Sequence, residues 1–376
     1  MEKKVLVSLV LPTYNGAQYL RESVDSVLAQ TFQDWELIIV NDCSTDETPQ
    51  IADEYASRDM RIKVIHNAVN KRLPESLNVG FREAKGRYLT WTSDDNRFLP
   101  TAIDEMQSYL NIHDEIAMVS AGMEYIDADG NVTGMAPYYD DYLIWAKDLV
   151  GACFMYRREA LSVIGEYNSD KVYVEDYDYW LRIRSKMGKI EGLQKKLYQY
   201  RRHGGSLTAT KDNEIRRQRS RLRLEYEMQI FETYAENKNI LCEIYYDFLL
   251  SGHPETWFLQ KIYDLLPELH KECYDFKINK KFFVFGAGDF GERAFKILGN
   301  NCAGFIDNDI KKIGTRKNGL EIISISEFEK LKHNDYEILV AIGIEHVFEV
   351  IKQLQDAGYD KYYTYQRLCN NNTRMI

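Results

Sequence analysis

The chain has 376 residues, enough for two or three domains of about 150 residues each. A hydrophobic fraction of 45% beside 28% charged residues is the composition of a soluble globular chain with its own core, which excludes a disordered or collagen-like one. Lys and Arg number 48 against 58 Asp and Glu, and the net charge of −10 argues against a general nucleic-acid binder.

A near-continuous apolar run over residues 5–11 predicts a first strand, and Leu20, Val24, Val27 and Leu28 share one face of a helix over 17–30. Strands follow over 36–41, 62–66, 88–92 and 117–123, with helices over 48–58, 73–84 and 101–113 in the intervals. Apolar strands separated by helices imply an α/β fold with a mainly parallel sheet covered on both faces. Ligands of such sheets lie beyond the carboxyl ends of the strands, so the polar residues at 13–15, 41–46 and 93–96 carry the interest. Residues 126–210 are less regular, with one helix pattern over 177–187, and residues 211–277 read as all-helical. Alternation returns at 281, with strands over 282–285, 303–307 and 337–342. The expected organisation is an α/β domain over 1–210, a helical linker region over 211–277 and a small Rossmann-like α/β domain over 278–376.

The six cysteines never stand at a C-x-x-C spacing, which removes zinc-knuckle and thioredoxin-like readings. The longest uncharged stretch, residues 5–20, is broken by Pro12, Asn15 and Gly16 and is too short to span a bilayer, so the expectation is a cytoplasmic chain.

Five motifs stand in order over the first 205 residues. They are Pro12-Thr13-Tyr14-Asn15-Gly16 after the first strand, Asn41-Asp42-Cys43-Ser44-Thr45-Asp46 after the second, Ser93-Asp94-Asp95-Asn96 with Pro100 beyond it, Glu175-Asp176 with Trp180, and Arg201-Arg202-His203-Gly204-Gly205. Together they resemble the family 2 glycosyltransferases of the GT-A fold. The resemblance implies a nucleotide loop at Pro12, Tyr14 and Asn15, UDP as the commonest donor carrier, and transfer with inversion. The family's D-x-D is occupied here by Ser93-Asp94-Asp95, so its first acid is missing.

The residues support that chemistry directly. Asp42 ends a buried strand, where a carboxylate can accept the imide N–H of uracil. Breaking a sugar–phosphate bond builds charge on a departing diphosphate, which a hard cation such as Mn2+ or Mg2+ neutralises. Asp95 and His203 are the expected metal ligands, Asp94 a nucleotide contact, Arg72 a further nucleotide contact, and Arg201 and Arg202 the diphosphate grip. An inverting displacement needs one base for the acceptor hydroxyl, for which Asp176 is the choice and Glu175 the second, with Trp180 stacking on the acceptor sugar. Asp46 reads more readily as a turn and helix cap than as a ligand.

Three further expectations complete the reading. Gly286, Gly288 and Gly291 form a G-x-G-x-x-G opening a helix, with Asp307 ending the next strand. That is the context of a dinucleotide fingerprint, and it gives NAD(P) as a lesser cofactor reading and a nucleotide-sugar oxidoreductase as the rival function. A catalytically idle nucleotide-sugar-binding protein is the other rival. Arg216, Arg219 and Arg223 fall on one helical face, which gives an expected contact with an anionic membrane surface or a lipid diphosphate. The partners are then a nucleotide-sugar donor and a glycan or lipid-linked acceptor, with no nucleic acid.

Overall fold

A computed structural model describes residues 5–251, 257–273, 276–278, 280–331, 335–359 and 361–372. The chain divides into two compact units, Met1–Leu222 and Arg223–Ile376.

The first unit opens as an alternation of β1 (Val7–Thr13), α1 (Leu20–Leu28), β2 (Trp35–Asn41), α2 (Thr48–Arg58), β3 (Ile62–His66), α3 (Arg72–Glu83) and β4 (Tyr88–Trp91). It continues with β5 (Arg97–Phe98), α4 (Ala102–Ile112), β6 (Met118–Ile126), β7 (Val132–Met135), β8 (Phe154–Arg157), α5 (Glu159–Val163), α6 (Glu175–Met187), β9 (Ile190–Arg201) and α7 (Leu207–Thr210). The following helix α8, Asp212–Leu224, runs across the division. The strands form one sheet in the order β3-β2-β1-β4-β8-β6-β9-β5, with β7 on β6.

β1 is buried at every position because its alternating side chains meet helices on both faces. Val7, Leu9 and Leu11 join Leu20, Val24 and Val27 of α1 in one core. Val10 points the other way, where Gly80 of α3 lies so close that a Cβ there would stand 2.4 Å from Val10 Cγ1.

The half β3-β2-β1-β4 is parallel, as the sequence implies, and places Thr13 opposite Asn41. The other half is mixed: β8 is antiparallel to β4 and β6, β9 is parallel to β6, and β5 is antiparallel to β9. This last pairing sets Arg97 opposite Gln199, which carries the end of β9 to the loop after β4. At the opposite, amino end of the sheet, the buried Glu36 accepts from the Ser8 hydroxyl at 2.7 Å, Lys63 Nζ at 2.9 Å and the Lys85 N–H at 2.6 Å. Burial opposes its charge, yet these three donors hold the carboxyl below its ordinary value.

The second unit starts with α9 (Glu227–Tyr234), α10 (Lys238–Leu250) and α11 (Trp257–Leu265). Then come β10 (Lys281–Phe285), α12 (Asp289–Leu298), β11 (Cys302–Ile306), β12 (Arg316–Lys317), β13 (Leu320–Ile323), α13 (Ile325–Phe328), β14 (Tyr336–Val340), α14 (Val347–Asp356), β15 (Tyr363–Thr364) and α15 (Tyr365–Asn372). Its sheet runs β12-β13-β11-β10-β14-β15, parallel except for the β12–β13 hairpin. The fully buried Glu272 carboxylate lies 3.1 Å from Arg367 Nε and accepts from the hydroxyls of Thr364 and Tyr246. Arg367 also donates to the Tyr245 hydroxyl, so α10, the chain after α11, and α15 close on one buried charge pair.

Candidate active site

The carboxyl ends of β1, β2 and β4 converge on one polar cluster. Tyr14 is exposed beside Asn15, which takes a left-handed φ of 55°. Asn15 N–H donates to the Ser44 hydroxyl at 2.9 Å and its Oδ1 accepts from the Thr45 N–H at 2.8 Å, so the loop after β1 is bound to the loop after β2. Asp46 reinforces the same junction, accepting from the N–H groups of Ala17 and Thr48 at 3.2 and 3.0 Å. Pro12 is buried within β1 and pairs with Val40, so its ring has no surface to offer a nucleotide; it sets the position of Tyr14 instead.

Asp42 is 3% exposed, and its carboxylate accepts from Asn67 Nδ2 at 2.8 Å, the Lys71 N–H at 2.8 Å and the Arg72 N–H at 2.9 Å. It therefore caps the start of α3 and holds Arg72 at a φ of 67°. A carboxylate has about four acceptor directions, so Oδ2 keeps one for a ligand. The Arg72 side chain is exposed next to it.

Asp94 accepts from the Thr13 hydroxyl at 2.5 Å. Burial pushes its carboxyl up to about 6, and the Thr13 hydrogen bond opposes that rise while the charges of Asp95 and Asp46 add to it. Gly16 makes this contact possible: a Cβ on residue 16 would stand 1.9 Å from Asp94 Oδ2. The Thr-Tyr-Asn-Gly sequence carried that signal as a glycine in a tight loop, though its partner was not legible.

Asp95 Oδ2 lies 3.1 Å from His203 Nε2. Among the described residues no group of three or more His, Cys, Asp or Glu side chains is placed to hold a metal ion. The carboxylate suits Mg2+ or Mn2+ with phosphate oxygens and water completing the shell, and the imidazole favours the transition metal of the two.

The two arginines beside His203 differ. Arg201 is 1% exposed, and its guanidinium donates to the carbonyls of Asp95, Asp127 and Ala128 and to Glu22 Oε2 at 2.7–3.2 Å. The expected diphosphate grip is thus corrected for Arg201, whose donors brace the loop after β4 against β9. Arg202 is exposed and stacks at 3.4 Å over the Tyr125 ring.

At the start of α6 the Glu175 and Asp176 carboxyls are both raised, first by burial; the charge of Asp176 adds to the rise at Glu175, and that of Asp148 at Asp176. Glu175 Oε2 is buried with no hydrogen-bond partner, whereas Asp176 is partly exposed and accepts from the Tyr177 N–H at 2.7 Å. The acceptor-stacking role expected of Trp180 is overturned. Its ring is 0% exposed and packs against Phe154 at 4.3 Å and against Tyr156 and Tyr179, leaving no face for a sugar.

The arginine face of α8 also turns out differently. Arg219 pairs with Asp148 at 3.2 Å, Arg223 with Asp247 at 2.6 Å and Arg216 with Asp212 at 3.8 Å. The face is engaged in ion pairs within the protein, and nothing in the fold calls for the expected membrane contact. No helix among the described residues is long and apolar enough to cross a membrane.

In the second unit the fingerprint residues assemble, but mainly for packing. Gly286 has a φ of 110°, and a Cβ on Gly291 would stand 2.0 Å from the Gly286 carbonyl, so both glycines let α12 seat on the end of β10. Gly288 precedes α12. Asp307 accepts from the N–H groups of Ala287 and Asp309 at 2.8 and 2.9 Å and from Lys312 at 3.2 Å, while Lys317 Nζ sits on the carbonyls of Ala287 and Gly288. Asp307 thus ties the glycine loop to the chain after β11, a use of the fingerprint in the fold itself that calls for neither NAD(P) nor an oxidoreductase.

Comparison with known proteins agrees with this geometry. The family model described as Glycosyl transferase family 2 matches residues 8–165, and one described as C2185-like, N-terminal, matches residues 278–364. The chain is 34% identical over 202 residues to the putative glycosyltransferase EpsE of Bacillus subtilis (strain 168), covering 52% of this chain and 72% of that protein. It is 28% identical over 321 residues to an uncharacterized glycosyltransferase of Haemophilus influenzae, covering 75% of this chain and 96% of the other. Among solved structures, S. aureus TarS 1-349 in complex with UDP-GlcNAc matches with a TM-score of 0.50 at 19% identity, over 71% of this chain and 83% of that one, a likeness of fold.

Proposed function

The chain belongs to glycosyl transferase family 2, and from that premise we propose that it transfers a sugar from a UDP-linked donor to a hydroxyl of a glycan or lipid-linked acceptor, with inversion. The observation that carries the reading is the meeting of Asp95 and His203 beside Asp94 and Asp42, where the carboxyl ends of three parallel strands converge. The UDP-GlcNAc held by TarS supports UDP as the donor carrier.

In this reading Asp42 takes the uracil imide through its remaining Oδ2 direction. Asp94, fixed by Thr13, meets the ribose. Asp95 and His203 would hold Mn2+ or Mg2+, whose positive charge would offset the charge that develops on the departing diphosphate. Arg202, exposed and next to His203 in the chain, can add a donor to the phosphate. Asp176 takes the proton of the acceptor hydroxyl as it attacks; burial suits it to the task by raising its affinity for a proton. Glu175 shares that charge and is the second choice.

Melting of the full chain against UDP-, GDP- and dTDP-sugars, each with and without manganese, tests the reading. A rise with UDP-sugars that depends on manganese is expected. A rise with another nucleotide alone, or an equal rise without metal, overturns the donor or the metal assignment respectively.

A further inference from the structure

Asp148 and Arg219 meet 3.2 Å apart although 71 residues separate them. Asp148 belongs to a segment, residues 141–150, that is fastened to α6 and β6. The Tyr177 hydroxyl donates to the Ile144 carbonyl at 2.6 Å, Arg184 pairs with Asp141 at 3.0 Å, and the Ser120 hydroxyl donates to the Val150 carbonyl at 2.7 Å. Arg219 comes from α8, beyond residue 165 where the family match ends. Its Nε is buried without a hydrogen-bond partner, as is Glu175 Oε2.

The Tyr177 anchor brings the Asp148 segment to the start of α6, and the charges of Glu175 on the same helix, Asp148, Arg219 from α8, Tyr167 from the chain before α6 and Tyr200 from β9 act on Asp176 or are acted on by it. Three carboxyls therefore gather at the start of α6, and Arg219, partly exposed, is the cation paired with one of them.

We propose that Asp148 and Arg219 are positioning residues for the Asp176 carboxylate, an ion pair that brings α8 into the acceptor end of the site and balances the charge beside the base. The proposal rests on the reading of Asp176 as the base. Without Arg219, Asp148 adds an unopposed negative charge, and Asp176 keeps its proton. Without Asp148, Arg219 is released to pair with Asp176 itself, which stays ionised but becomes a weaker base.

The test needs no substrate. In the full chain labelled with 13C at Asp and Glu carboxyls, Asp176→Asn and Glu175→Gln assign the two resonances, and pH titration gives their midpoints. Arg219→Gln is expected to raise the midpoints by about one pH unit, the scale of one nearby charge. Arg219→Lys should leave them near the wild type, and Asp148→Asn should lower them. Failure of either Arg219→Gln or Asp148→Asn to move the midpoints in its stated direction overturns the proposal, and so does a shift in one direction by both, which would mark a general loosening. Failure of the base reading is separate: Asp176→Asn with unaltered sugar transfer removes the base while the midpoint shifts stand.

Discussion

Asp95 and His203 are 108 residues apart in the chain, yet their side chains meet at 3.1 Å because the two-residue strand β5 pairs with the end of β9. The loop after β4 and the loop after β9 thus form one wall of the site. The Arg201 guanidinium, buried between them, fixes their spacing.

Loss of either partner should therefore abolish metal-dependent donor binding and leave the fold intact. For Asp95→Asn and His203→Ala, calorimetry is expected to show UDP affinity that no longer responds to manganese, with melting temperatures within a few degrees of the wild type. An undiminished manganese response in both variants would falsify the assignment of this pair.

Asp176→Asn retains an acceptor for the Tyr177 N–H, which Asp176 now satisfies at 2.7 Å. It cannot take a proton. Nucleotide binding should persist while transfer falls by ~10²-fold or more, the scale of general-base loss. If transfer stays within a few-fold of the wild type, Glu175→Gln is the next variant to assay, and a matching loss there moves the role to Glu175.

Gly16→Ala tests the seat of Asp94. The added methyl would stand 1.9 Å from Asp94 Oδ2 and 2.6 Å from Thr13 Oγ1, so the carboxylate must swing away. Because that displacement is local, melting should change little, whereas transfer should fall on the order of 10²-fold through misplacement of the donor. Wild-type rates in this variant would show that Asp94 takes no part in holding the nucleotide.

Glu36 makes the stability of the first unit depend on acid. Its carboxyl is held below its ordinary value, so its contribution is fully present above the unfolded pKa of about 4.3 and is lost as pH falls through the folded value. Glu36→Gln should lower the urea midpoint at pH 7 by a stability loss of about 1.5–3 kcal/mol, since an amide cannot accept from Ser8, Lys63 and the Lys85 N–H with both ends. The gap between variant and wild type should narrow below about pH 4. A constant gap across that range would show that the charge of Glu36 contributes nothing.

How much of this was legible in the sequence follows from how locally each feature is encoded. The parallel half was plain because β1 and β2 are apolar runs buried at every position. The mixed half was not: β5 has two residues, β7 and β8 have four each, and β9 carries Gln194, Lys195 and Lys196 on an exposed stretch that breaks the apolar pattern. Asp95 and His203, which meet in the structure, were each singled out through their flanking residues. Arg201 and Trp180 were misread because type and position do not tell whether a side chain faces in or out; α6 buries Tyr177, Asp178, Tyr179, Trp180 and Leu181 in succession, so it has no clean solvent face. Arg219 stood out only as one of a row of arginines, and its pairing with Asp148 left no local trace, since an ion pair across 71 residues appears only once the chain is folded.

The charge pair between Glu272 and Arg367 has a bearing on the order in which the protein is made. The first unit holds its whole sheet once β9 has left the ribosome, whereas Glu272 meets Thr364 and Arg367 only after residue 367 has been added. Between residue 222, where the first unit ends, and residue 367, translation adds about 145 residues, roughly 7–30 s at ~5–20 residues per second. The nascent second unit must wait through that interval with a carboxylate destined for burial and no counter-ion to accompany it. A premature stop before residue 367 would make the wait permanent, and such a chain is expected to be captured by chaperones or proteases even though every residue of the glycosyltransferase family match is present.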